Sequence, residues 1–246
     1  MHYEYGEGEP IVLLYGLFGT VRNFDPLIKH LKKDYRVIVS LFPFYDNGYD
    51  VNIFSLVNFL ENLIDKLQLE KFNLLGNSMG GHVAILYTYR HPRKVASLTL
   101  SGSSGLFENG MGDTFPRRKD YGYIKCKAES TFYDASVATK ELVDEIYETV
   151  NSRRALHILS LAKSTIRNNV QSLLHHIHVP CCLIWGRNDV ITPPQVAFEF
   201  KKHMPHAGLH WINHCGHVPM LERPAEFNRV IDEFLLSVNT QYRHAV

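Results

Sequence analysis

Gly76-Asn77-Ser78-Met79-Gly80 sets a serine between two glycines, where the apolar run Phe72-Asn73-Leu74-Leu75 gives way to a helix beginning near Gly81. G-x-S-x-G at a strand-to-helix junction is the nucleophile elbow, a turn so sharp that glycine is needed on both sides of the serine. The turn lifts the Ser78 hydroxyl off the sheet and aims the first N–H groups of the helix at the reacting centre, where helix N-termini favour negative charge. A serine hydroxyl is a weak nucleophile at neutral pH and needs a base, which in turn needs an orienting acid. Both occur downstream. Asp189 follows the apolar run Cys181-Cys182-Leu183-Ile184-Trp185, in the loop where a strand's carboxyl end faces the active edge of a parallel sheet. His217 lies in Asn213-His214-Cys215-Gly216-His217, between a strand at Leu209 to Ile212 and the last helix. The Gly-His pairing and the helix that follows favour His217 over His214. Acyl transfer is the chemistry these three residues could perform together.

The order Ser78, Asp189, His217 resembles that of the α/β-hydrolases, and not that of chymotrypsin or subtilisin. Tyr15-Gly16-Leu17-Phe18-Gly19, the elbow, Trp185-Gly186-Arg187-Asn188-Asp189, Cys215-Gly216-His217 and a Pro224-containing terminal helix extend the resemblance over nearly the whole chain. It implies a mostly parallel α/β-hydrolase sheet flanked by helices, with a helical cap insertion. It further implies a Ser78–His217–Asp189 triad, an oxyanion hole from the backbone N–H groups of Leu17 and Met79, and no metal or organic cofactor. Tyr15-Gly16 stands where relatives usually carry His-Gly; a backbone donor survives that change. Phe42-Pro43-Phe44-Tyr45-Asp46-Asn47-Gly48 replaces a common Asp-x-Pro-Gly-His-Gly loop, and only Met1 to Tyr5 precedes the Gly6–Pro10 turn.

Within that superfamily, Gly-Asn-Ser-Met-Gly-Gly-His with Gly-Arg-Asn-Asp is especially similar to the carbon–carbon bond hydrolases of meta-cleavage products, with esterases close by. Two departures weigh against the first group. Gly216-His217-Val218 stands where those enzymes have Gly-His-Trp, and their cap arginine for the dienoate carboxylate would fall near Asp144-Glu145. Arg117, Arg118, Arg153 and Arg154 are the cations available to replace it. Hydrolysis of a small-molecule carboxylic ester therefore ranks first and carbon–carbon hydrolysis second. A hydrolase-fold small-molecule receptor is the third reading.

The surrounding elements follow from periodicity. Strands are expected at Ile11 to Leu14, Tyr35 to Leu41, Val95 to Leu100 and in the runs already named. Helices are expected at Asp25 to Lys33 and at Ile53 to Leu67, whose apolar residues 53, 56, 57, 60, 63, 64 and 67 follow a helical period. From about Ser103 to His178 strand-like runs cease, and helical stretches appear at Ala138 to Val150 and Ala155 to Thr165. The chain is thus expected to form a core of residues 1–102 and 179–246, with residues 103–178 inserted as a helical cap. Gly102-Ser103-Ser104-Gly105 looks like a hinge leading into it. Of the cap aromatics Phe107, Phe115, Tyr121, Tyr123, Phe132 and Tyr133, the candidates for the pocket wall are Phe107, Phe132 and Tyr133, with Asn77 beside the serine. His175-His176-x-His178 is read as the end of a solvated helix and not as a metal site.

Composition narrows the partners. The 246 residues carry a net charge of +1, which offers no electrostatic case for nucleic acid or an anionic membrane. No apolar run approaches the roughly 20 residues needed to span a bilayer. Four cysteines without metal spacing, and a start lacking the basic and apolar regions of a signal peptide, make the cytoplasm the expected compartment. The expected partner is a small-molecule substrate.

Overall fold

The structure, a computed structural model, describes residues 1–43, 51–108 and 117–244, with side chains to residue 240. Phe115 and the 44–48 part of the loop singled out above lie outside the described residues.

Chain order sets out the elements. β1 (His2–Tyr5) and β2 (Glu9–Leu14) are followed by a short 3₁₀ turn (Val21–Phe24), α1 (Asp25–Leu31) and β3 (Tyr35–Ser40). Then come α2 (Ile53–Lys66), β4 (Phe72–Asn77), α3 (Met79–Arg90) and β5 (Val95–Ser101). Between β5 and the next strand, every regular element among the described residues is helical: α4 (Tyr121–Glu129), a 3₁₀ turn (Ala135–Val137), α5 (Lys140–Asn151), α6 (Ala155–Arg167) and α7 (Gln171–Leu174). β6 (Cys181–Gly186), α8 (Pro194–His203), β7 (Gly208–Ile212), the one-turn α9 (Pro219–Glu222) and α10 (Pro224–His244) complete the chain.

The seven strands among the described residues form one sheet in the order β1-β3-β2-β4-β5-β6-β7, all parallel except β1, which runs antiparallel to β3 along the edge. β4 and β6 are buried at every residue, as expected of parallel strands covered on both faces. That is why β6 is an unbroken apolar run and Phe72 to Leu75 of β4 is interrupted only by Asn73, whose buried side-chain oxygen accepts from the Ser97 hydroxyl at 2.6 Å. α3 packs on β4, β5 and β2 and also against α2. α2 buries Ile53, Leu56, Val57, Leu60, Leu63 and Ile64, the helical stripe of its sequence, and starts on a capping box between Asn52 and Ser55.

This order places the carboxyl ends of β4, β5 and β6 side by side, so the loops that follow them converge at one edge. β5 lies between the strand that precedes Ser78 and the strand that precedes Asp189.

Candidate active site

Ser78 sits between β4 and α3 with φ 55° and ψ −124°, a conformation costly for a residue with a Cβ. The neighbouring chain imposes it. A Cβ on Gly80 would stand 2.2 Å from the Leu14 carbonyl oxygen, so the turn closes only with glycine there. The Ser78 N–H donates to the Ser101 carbonyl (3.1 Å), and the Ser78 carbonyl accepts from the Ser104 N–H (3.0 Å). The serine is thereby tied on both sides to the segment leaving β5.

Asp189 follows the end of β6 and is buried. Its Oδ1 accepts from the N–H groups of Ile191 (2.9 Å) and Thr192 (3.0 Å), and its Oδ2 accepts from the Thr192 hydroxyl (2.9 Å). The Trp185 indole N–H donates to the Thr192 carbonyl (2.8 Å), which pins this turn to the core. Oδ2 also receives the His217 Nδ1 proton at 2.8 Å. His217 is buried in turn. Burial pulls the imidazole pKa down, but the Asp189 charge and hydrogen bond outweigh it, Glu108 adds a smaller push, and the net direction is up. The Nδ1 contact leaves Nε2 as the atom available for proton exchange.

Ser78, His217, Leu17 and Met79 line one cavity of about 320 Å³. A Cβ on Gly16 would lie 2.7 Å from the Ser78 Cβ, so the backbone just before Leu17 passes directly beside the serine. The remaining wall is largely apolar, with Phe132, Leu142, Ile146, Leu159 and Val218 among the lining residues. Most of these come from the segment between β5 and β6. Ser104, Glu108 and Lys163 are polar members of the wall, and the Ser104 hydroxyl donates to Glu108 Oε2 at 2.8 Å.

The other expected site residues divide. Phe132 is on the cavity. Phe107 is not: it lies nearly half exposed beside a separate shallow cleft with Leu106 and Phe198. Tyr133 is also off the cavity, nearly half exposed, its ring against His214 at 5.2 Å. Its side chain points away because Tyr133 follows Phe132 in a turn anchored by its own backbone. Asn77 does border the cavity, yet its amide donates to the carbonyls of Ser101 (2.9 Å) and His217 (3.1 Å), so its donors serve the framework. Arg117, Arg118, Arg153 and Arg154 are not among the lining residues, and Lys163 is the only cationic side chain that is, among the described residues.

Sequence reasoning did not single out Thr192, Glu108 or Lys163. Thr192 had a local signal, a hydroxyl three residues after Asp189; the other two had none. The rings of His175 and His176 lie 3.8 Å apart, tilted by 40°, and no cluster of three or more His, Cys, Asp or Glu able to hold a metal occurs among the described residues.

Comparison with known proteins places the chain as a whole. A family model described as "alpha/beta hydrolase fold" matches residues 9–224. A 2-hydroxy-6-oxononadienedioate/2-hydroxy-6-oxononatrienedioate hydrolase of Pseudomonas putida is 30% identical, covering 96% of this chain and 91% of its own. One of the same name from Cupriavidus pinatubonensis is 30% identical over 87% of this chain and 80% of its own. Among solved structures, an α/β-hydrolase enzyme from the sediment metagenome of the Mar Chica lagoon, Morocco, is 37% identical and superposes with a TM-score of 0.80, covering 97% of this chain and 95% of that one. A meta-cleavage product hydrolase from Pseudomonas fluorescens is 24% identical with a TM-score of 0.83 over 96% of this chain and 93% of that one, a likeness of fold.

Proposed function

This chain belongs to the α/β-hydrolase family, and we propose that within it Ser78, His217 and Asp189 form a triad that cleaves small-molecule carboxylic esters through an acyl-enzyme. The observation that carries this reading is the shared cavity: a serine held in a strained elbow and a histidine fixed by a buried carboxylate at 2.8 Å border the same space. Ser78 Oγ attacks the acyl carbon while His217 takes its proton. Asp189 holds the imidazole tautomer and stabilises the imidazolium. The N–H groups of Leu17 and Met79 receive the oxyanion, a contribution of about 3 kcal/mol per donor in comparable sites. The proton on His217 leaves with the alcohol. Water then adds to the acyl carbon with His217 again as base, and the acid departs as Ser78 recovers its proton. The segment 103–178 acts as a cap that shapes the acyl side of the pocket and excludes water.

The wall supports an uncharged acyl group. A dienedioate brings two carboxylates, whereas the cavity presents one lysine and, in Glu108, a carboxylate of its own. Hydrolysis of a carbon–carbon bond in a meta-cleavage product is the second reading. It is favoured by the names of the relatives and by Lys163, a cation on the cap side where a single carboxylate would need one.

A fluorophosphonate label followed by a substrate panel tests both. One adduct is expected on Ser78, absent from Ser78→Ala protein, together with multiple turnovers of p-nitrophenyl esters. Turnover of a 2-hydroxy-6-oxo-dienoate at a higher kcat/KM than any ester would replace the first reading with the second. An adduct that persists undiminished in Ser78→Ala protein would sink both. No helix among the described residues is long and apolar enough to cross a membrane.

A further inference from the structure

Glu222 ends the one-turn helix α9, and its side chain is buried although the carboxylate does not border the cavity. Its two oxygens are used in opposite directions. Oε1 accepts the N–H of Gly216, the residue before the candidate base. Oε2 accepts the N–H groups of Tyr133 and Asp134, from the segment between β5 and β6, the latter at 3.1 Å. The same two stretches of backbone also meet directly, since the His217 N–H donates to the Thr131 carbonyl at 2.9 Å. The fit is close: a Cβ on Gly216 would stand 2.5 Å from the Thr131 oxygen and 2.8 Å from the Phe132 Cα. Phe132, which lines the cavity, lies between the residue that binds the His217 backbone and the residue that binds Glu222.

We propose that Glu222 is a positioning residue that locks the histidine loop and the Phe132 wall of the pocket together as one unit, so that a single buried carboxylate sets both base geometry and acyl selectivity. The inference rests on the reading of His217 as base and of the cavity as acyl site. Chemistry explains why the residue is glutamate. Three backbone donors converge from two sides, and a carboxylate alone accepts at both oxygens. Glutamine has nearly the same shape but turns an NH₂ toward one set of N–H groups, which leaves buried donors unpaired. Release of that side frees either the loop carrying His217 or the turn carrying Phe132, and displacements of about 1 Å in such groups cost on the order of a hundredfold in rate.

The test uses Glu222→Gln, Phe132→Ala and the double variant in the full-length protein, each compared with wild type for the rate of Ser78 phosphonylation and for kcat/KM on acetyl and benzoyl p-nitrophenyl esters. Glu222→Gln is expected to slow phosphonylation about tenfold or more and to shift the benzoyl-to-acetyl ratio in the same direction as Phe132→Ala. In the double variant the ratio should move no further than in one single variant, since both act on one wall. A Glu222→Gln protein in which every ester falls by one common factor, with the ratio unchanged, overturns the proposal, because that is what a general loss of stability produces. Glu222→Asp, which keeps two acceptor oxygens on a shorter stem, is read by the same ratio where the glutamine variant fails to fold. A wild-type protein that takes up no phosphonate would instead overturn the underlying assignment of Ser78 and His217.

Discussion

Gly102 lies against His217 so closely that a Cβ on it would stand 3.1 Å from the His217 Nδ1 and equally near the Asp189 Oδ2. With φ at +49°, the residue also adopts a backbone conformation that side chains disfavour. The sequence suggested a hinge here. Its observed surroundings are those of a spacer that lets β5 pass beneath the Asp189–His217 hydrogen bond.

Gly102→Ala should therefore damage the site more than the fold. We expect kcat/KM to fall at least tenfold, with a loss of roughly 1–2 kcal/mol of stability from the backbone strain. Ester kinetics and the urea midpoint measure the two effects. Wild-type kinetics in this variant would show that the pair tolerates displacement.

The pH profile follows from the direction in which His217 is moved. As the proposed base, His217 must be neutral to accept the Ser78 proton, and its pKa is moved up from the ordinary histidine value of 6.5. The acidic limb of kcat/KM is thus expected to have its midpoint above 6.5 in wild type. Asp189→Asn removes the charge that raises it, so the midpoint should move down while kcat drops by about 10⁴-fold. A wild-type limb centred below 6.5 would contradict this account.

His214 offers the contrasting case. Its ring packs on Tyr133 and does not line the cavity, and its carbonyl accepts the Arg223 Nε at 2.9 Å. His214→Ala is expected to change kcat/KM only a few-fold, whereas His217→Ala should lower kcat by several orders of magnitude. The reverse ranking in a single ester assay would reassign the base.

Acid stability should carry the signature of His82, which is fully buried on α3 four residues after Ser78. Burial lowers its pKa to about 4, with a backbone contact to Asn168 opposing slightly. Between pH 6.5 and 4 the unfolded chain binds this proton and the folded one does not, so stability falls as pH falls. The full loss is about 3 kcal/mol, at about 1.4 kcal/mol per pKa unit. His217 runs the other way. Its raised pKa contributes stability that is complete below 6.5 and fades as pH rises through the folded value. Urea titrations should show a flatter acid slope for His82→Gln than for wild type, and an unchanged slope would exclude His82 as its source.

Much of the fold was legible because parallel strands buried on both faces have little choice of residue. Cys181 to Trp185 and Phe72 to Leu75 could hardly be anything else, and the observed strands extend those runs by one or two residues. The elbow was legible because close approach to Leu14 demands glycine at position 80. The sequence reading named neither α4 nor α7, helices with short or weak apolar faces, nor the one-turn α9 that precedes the expected Pro224-containing terminal helix. The aromatics of the segment between β5 and β6 sorted poorly. Phe107, Phe132 and Tyr133 stand in turns without helical or strand period, so nothing local says which way each points. Glu222 was invisible for a related reason: its partners at positions 133 and 134 lie almost ninety residues away and are backbone groups, which leave no trace in residue type.

The left-handed φ of Ser78 and the contact of Gly80 with Leu14 bind the state of one hydroxyl to the pairing of β2 with β4. Those segments are some sixty residues apart and meet only when the central sheet has assembled. Away from that assembly the turn relaxes, since strain of this kind persists only where the surroundings over-determine it. A newly made or misfolded chain thus carries Ser78 as an ordinary alcohol. With Ser78 as the nucleophile proposed above, phosphonate uptake is expected to count correctly folded molecules in a preparation, and its reactivity to arise no earlier than the framework that contains it.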